Sequence, residues 1–124
     1  MAKKKFKKHK NDQFRTPLPW NNWGMNNRLL GRFKGVLNNC DIFGRKIYLF
    51  EVIEGSIANP SVFRGQFVSL YSTKIFSESM KNICHGETVE ITYMGKRQGE
   101  MYLYHMMVVI PKTYYLQKER LQIK

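Results

Sequence analysis

The clearest pattern lies in residues 86–110, GETVEITYMGKRQGEMYLYHMMVVI. ETVEITYMG alternates strictly and sets Val89, Ile91 and Tyr93 on one side of a strand, as a side-chain period of two requires. EMYLYHMMVVI is nearly all apolar and reads as a second strand. Gly95 and Gly99 bracket Lys96, Arg97 and Gln98. That arrangement predicts a hairpin turn on the bracketed residues, with glycine available for positive φ.

Upstream, the punctuation is regular. LLGRFKGVLNN reads as a strand whose Gly31 and Gly35 mark a bulge or a tight bend. CDIFG is a turn, and RKIYLFEVIEG is a long β-branched and aromatic strand. Burying Glu51 would be costly, so Tyr48, Phe50 and Val52 are expected on the core side. SIANPSVFRG, with Pro60, Arg64 and Gly65, is a loop, and QFVSLYS is the third strand. TKIFSESMKNICHG carries Ile75, Phe76, Met80, Ile83 and Cys84 at helical spacing. Ser72 or Thr73 is placed to cap that helix and Gly86 to stop it. TPLPWNNWGMNNR is an irregular arm, because Pro17 and Pro19 forbid a helix start before Trp20. Its Trp20 and Trp23 are expected to dock the arm onto the domain as apolar anchors, in preference to stacking on a base. The boundaries are then a basic disordered tail (1–15), the arm (16–28), the folded domain (29–111) and a basic C-terminal extension (112–124).

The order β-β-β-α-β-β predicts an all-β domain with one helix, and points to the OB-fold, a five-stranded Greek-key barrel. The long glycine-bent first strand suits a barrel strand shared by two neighbours. An SH3-like barrel, which does not need the helix, and an α+β sandwich are the other architectures considered.

Charge changes the picture. The chain has 124 residues and a formal net charge of +12. Residues 1–15 hold seven lysines and arginines against Asp12, and the remaining residues hold fourteen against eight acids, so each part carries +6. A domain that is itself basic suggests a surface that meets phosphate. The lysine tail is expected to add salt-sensitive contact with nucleic acid, beside the plainer role of a solubilising extension. A membrane partner is not expected. The longest apolar run is far short of a span, the start and end carry no lipidation motif, and no apolar run follows the basic start as in a signal peptide. The expected location is the cytoplasm.

Catalysis, metals and cofactors are not expected. Cys40 and Cys84 form no Cys-x-x-Cys pair, and His9, His85 and His105 are scattered. The two cysteines are expected reduced, with one or both in the core. The acids are dispersed, unlike a metal-dependent nuclease site. GRFKG is too short for a nucleotide-binding glycine loop and lies on a strand. Met101, Met106 and Met107 are expected as core fillers.

Binding of single strands needs aromatic faces for bases and cations for phosphates. Alternation sends about half of the aromatics inward. Tyr71, Tyr102 and Tyr104 are the candidate stackers, the last two on one side of their strand. Arg45 and Lys46 border the loop between the first two barrel strands, and Lys96 and Arg97 lie in the loop between the last two. Those two loops flank the ligand face of an OB-fold. Arg32 and Lys34 share one side of the first strand as a candidate phosphate track, and Arg64 completes the basic set.

HGETVEITYMGK followed by MYLYHMMVV resembles the C-terminal half of OB-fold single-stranded DNA-binding proteins of tailed bacteriophages. Gly86, Val89, Ile91, Tyr93, Gly95, Lys96, Tyr104 and His105 carry the match, within residues 75–110. The resemblance implies a non-catalytic protein that binds single-stranded DNA with little sequence preference in replication or recombination, in the host cytoplasm if phage-encoded. The chain departs from bacterial and some phage relatives of that kind in ending ERLQIK, with no acidic tail to recruit partners. MAKKKFKKHK also looks like the extensions of ribosomal proteins, which keeps RNA as a partner open. A virion or assembly subunit is a third reading. There Tyr114, Tyr115 and Leu116 would pack on a neighbouring copy, and the tail would tether nucleic acid.

Overall fold

Residues 16–38, 45–58 and 61–112 are described by the structure, a computed structural model. The elements are β1 (Thr16–Pro17), a 3-10 turn (Trp20–Asn22), β2 (Arg28–Leu37), β3 (Ile47–Gly55), β4 (Phe67–Tyr71), α1 (Lys74–Met80), β5 (Thr88–Gln98) and β6 (Leu103–Pro111). The basic tail, the CDIFG turn and the segment after Lys112 lie outside the described residues. The domain is mostly β with one helix among the described residues, as the sequence pattern requires.

β2 is the hub of the sheet. It pairs antiparallel with β3 along one edge and with β5 along the other. β4 continues the sheet beyond β3, and β6 beyond β5. Register shifts fall between Leu30 and Gly31 and between Phe33 and Gly35, where the two strand glycines stand. Gly35 has φ +129, a conformation side chains rarely adopt, so the irregularity depends on glycine.

The five-stranded, partly open barrel expected from the element order is not what the sheet forms. The sheet is open and six-stranded, in the order β1-β4-β3-β2-β5-β6. The arm supplies the reason. Thr16 and Pro17 pair in parallel with Val68 and Ser69, and the Leu18 amide donates to the Ser69 carbonyl at 2.9 Å. The outer edge of β4 is therefore taken by the arm. Farther on, the Asn26 amide donates to the Tyr93 carbonyl and the Tyr93 amide to the Asn27 carbonyl. One short segment thus reaches from β4 to β5.

Trp20 and Trp23 dock, as expected. Both are buried, with ring centroids 5.0 Å apart. Trp20 meets Phe76 edge-on at 5.1 Å and stacks on Tyr93 at 6.3 Å. Its indole Nε1–H donates to the Tyr71 carbonyl at 2.9 Å, which satisfies the polar end of a buried ring. The aromatic cluster continues through Phe76 to Tyr48 and Phe50, and from both of these to Phe33. Tyr48, Phe50 and Val52 face the core, and so do Val89, Ile91 and Tyr93.

α1 is shorter than the periodicity suggested. Thr73 caps it, its side chain accepting from the Phe76 amide. Only Phe76 and Met80 of the helix are fully buried, and the helix stops at Met80, not at Gly86. Ile83 still packs on the core from the turn that follows, and Cys84 is exposed, so of the two cysteines expected with one or both in the core, this one is not. Cys40 lies outside the described residues. Met107 is a core filler, but Met101 is 90% exposed. Met101 sits in the turn joining β5 and β6, where no packed face exists to cover it.

Trp20→Ala is expected to lower stability by about 3–5 kcal/mol in urea unfolding, the range for removing a large buried aromatic ring, with Trp20→Phe milder. Thr73→Ala is expected to cost about 1 kcal/mol through the lost cap.

Candidate functional site

The β5–β6 hairpin does not turn where the glycines suggested. Lys96, Arg97 and Gln98 belong to β5 and pair with His105, Tyr104 and Leu103. The reversal occurs over residues 99–102, closed by the Gly99 amide donating to the Tyr102 carbonyl at 2.9 Å. Gly95 serves a bulge instead. The register shifts between Tyr93 and Gly95, Gly95 has φ +86, and a Cβ there would lie 2.7 Å from Met25 Cε. The hairpin is therefore longer than expected and reaches the start of α1.

This reach creates a cleft of about 510 Å³. Thr73, Lys74 and Ile75 line it from α1 and its cap, and Tyr102, Leu103, Tyr104 and His105 from the hairpin. Tyr102 is 69% exposed and Tyr104 is half-buried. Lys96 is the cross-strand partner of His105, and Arg97 of Tyr104. Neighbouring strand residues point to opposite faces, so the two cations flank the hairpin on its two sides.

A second cluster adjoins the first along the chain. The Arg45 guanidinium lies over the Tyr71 ring, 5.1 Å from its centroid, a cation–π contact. Lys46 is tied to the same place: its amide donates to Ser72 Oγ, and its carbonyl accepts from the Ser72 amide. Tyr71, Ser72, Thr73 and Lys74 then run straight into the cleft. The structure so brings together Arg45, Lys46 and Tyr71 at one end, and Tyr102, Tyr104, Lys96 and Arg97 at the hairpin.

Three of the expected cations stand apart. Arg32 and Lys34 do share a face, but both point at Glu51, at 3.4 Å and 3.9 Å. Their charge is partly neutralised there, which weakens a phosphate track on that strand. Arg64 sits in the turn before β4, beside Val52 and away from Arg45. The same pairing recurs on the outer sheet face. Arg28 contacts Glu90 at 2.6 Å and Glu54 at 3.3 Å, and Lys112 reaches Glu90 at 3.0 Å. The Arg28 hydrogen bond holds the Glu90 carboxyl below its ordinary range, against the opposing effect of burial and with help from Lys112. By contrast Lys46, Arg64, Lys74, Lys96 and Arg97 form no ion pair among the described residues.

Comparisons with protein-family models, with curated proteins and with solved structures give no match to this chain. Its chemistry is therefore read from its own residues. Among the described residues no group of three His, Cys, Asp or Glu side chains could hold a metal, and no helix is long and apolar enough to cross a membrane.

Lys74 and the cleft role of His105 were not legible beforehand. Lys74 is one exposed lysine among many in sequence, and only the curl of the hairpin sets it across from Tyr102 and Tyr104. His105 forms a 2.5 Å hydrogen bond through Nδ1 with the hydroxyl of buried Tyr93. Burial, and then the nearby Lys96 charge, hold its imidazole below the ordinary histidine value of 6.5. The neutral form is thus favoured in the folded state. The stabilisation is complete above pH 6.5 and is lost as pH falls through the lower folded midpoint. Denaturation curves at pH 7.5 and pH 5 are expected to show lower stability in acid, with a smaller loss in His105→Gln.

Proposed function

We propose that the protein is a non-catalytic single-stranded DNA-binding protein of low sequence specificity, acting where strands are exposed in replication or recombination. The observation that carries this reading is the cleft between α1 and the hairpin. It sets exposed Tyr102 and half-buried Tyr104 beside Lys74, which has no carboxylate partner among the described residues. Base stacking needs the first and a phosphate backbone the second. A duplex buries its base faces, so such a surface favours a strand whose bases are unstacked.

The strand relations also support an OB-type origin for the sheet. β2 is shared by β3 and β5, β4 and β6 lie outside these, and the only helix described falls between β4 and β5. That is the neighbour order of an OB barrel parted between its third and fifth strands, with the arm lying along one side of the gap. Arg45 and Lys46 then border the loop after its first strand, and Lys96 and Arg97 stand near the hairpin tip. These are the two regions that flank an OB ligand face. The described residues are themselves basic, with eleven Lys and Arg against six Glu. The lysine tail of residues 1–15 supplies further non-specific attraction.

Fluorescence anisotropy with labelled oligo-dT, oligo-U and a duplex, across a salt series, tests this. Oligo-dT is expected to bind more tightly than the duplex. Tyr102→Ala and Tyr104→Ala are each expected to lose about 1–3 kcal/mol of binding, the usual worth of a stacked base. Lys74→Gln is expected to reduce the salt slope by about one, and Arg32→Gln to change affinity less than about twofold. Equal binding to duplex and oligo-dT would count against the proposal. Preference for structured RNA would favour the ribosome-associated reading, and a stable oligomer with weak oligo-dT binding an assembly role.

A further inference from the structure

His105 touches both the aromatic core and the cleft. Its ring lies 5.7 Å from the ring of Tyr93, which is itself stacked on Trp20. The same imidazole lines the cleft beside Tyr104 and opposite Lys74. Its Nδ1 is engaged by the Tyr93 hydroxyl, and its Nε2 has no hydrogen-bond partner among the described residues. Burial raises the Tyr93 pKa, so that hydroxyl keeps its proton and is able to donate it to Nδ1. A neutral imidazole that accepts at Nδ1 carries its hydrogen on Nε2. With Tyr93 as the donor, the Nε2–H is left for a ligand.

We propose that occupation of the cleft by a nucleic-acid strand is coupled to uptake of one proton by His105, so that affinity for a phosphodiester rises as pH falls. The proposal rests on the single-strand reading above and names a regulation of that site. The groups around the imidazole are Tyr93 and Lys96 from β5, Lys74 from α1, and Tyr102 and Tyr104 on the hairpin itself. No carboxylate lines the cleft. In the empty site burial and the Lys96 charge disfavour the imidazolium. A phosphodiester held between Lys74 and Lys96 reverses the local field and favours the imidazolium. The proton goes to Nδ1, and the Tyr93 hydroxyl rotates from donor to acceptor with no bond broken elsewhere. A ligand that raises the midpoint by about one unit binds about tenfold more tightly at pH well below that midpoint than well above it.

The test uses the full chain, labelled oligo-dT at fixed salt between pH 5 and pH 8, and NMR of the histidine rings. Wild-type affinity is expected to rise about tenfold toward pH 5, with the slope lost in His105→Gln and kept in His85→Gln. The His105 midpoint is expected to move upward when oligo-dT is added. Tyr93→Phe keeps the buried ring and removes the donated hydrogen bond, so it is expected to raise the midpoint of the free protein. Equal pH slopes in wild type and His105→Gln, or a midpoint unmoved by saturating oligo-dT, would overturn the coupling and leave single-strand binding standing. No binding of oligo-dT at any pH would overturn both.

Discussion

The architecture depends on one insertion, that of Trp20 into the gap between the β4 edge, α1 and Tyr93. A sheet with an open edge exposes unpaired backbone groups that recruit other chains. The arm answers this with its short parallel pairing to β4, and Trp20 supplies the apolar area that holds the arm down. The indole also ties to the Tyr71 carbonyl, so the end of β4 and the start of α1 are fixed by the same side chain. Phe76 then carries the contact into the core of β2 and β3 through Tyr48 and Phe50.

The wedge also shapes the proposed site. Because Tyr93 is packed on Trp20, its hydroxyl points out of the core toward His105, and the hairpin beyond it arches to the helix cap. The cleft is thus roofed by a hairpin whose root is aromatic core. Its floor, Thr73 to Ile75, is held by the Thr73 cap and by the burial of Phe76. Rigid support on both sides limits the ordering cost that a ligand would otherwise meet.

Charge is distributed by the same geometry. On the outer face Arg32 and Lys34 reach Glu51, Arg28 reaches Glu54 and Glu90, and Lys112 reaches Glu90, which leaves that face nearly balanced. Among the cations with no ion pair in the described residues, Lys74 lines the cleft with Tyr102 and Tyr104, and Lys96 stands across the hairpin from His105. The more exposed of the outer-face pairs, those of Glu51 and Glu54, are worth little in stability, about 0–1 kcal/mol each. Their larger effect is on where the excess positive charge lies.

By itself the sequence determined what is local. The alternation of Val89, Ile91 and Tyr93, the Thr73 cap, the glycine irregularities of β2 and the docking of two tryptophans all follow from side-chain period, hydrogen-bonding reach and apolar area. Tertiary structure decided the rest. Gly95 reads equally as a turn or a bulge residue until β6 fixes the register. Arg32 and Lys34 read as free cations until β3 places Glu51 across from them. Lys74 and Tyr104 lie thirty positions apart and meet only because the bulged hairpin curls over α1. Periodicity states which face a side chain takes. Which residue stands opposite is set by register and curvature, and these come from contacts distant in the chain.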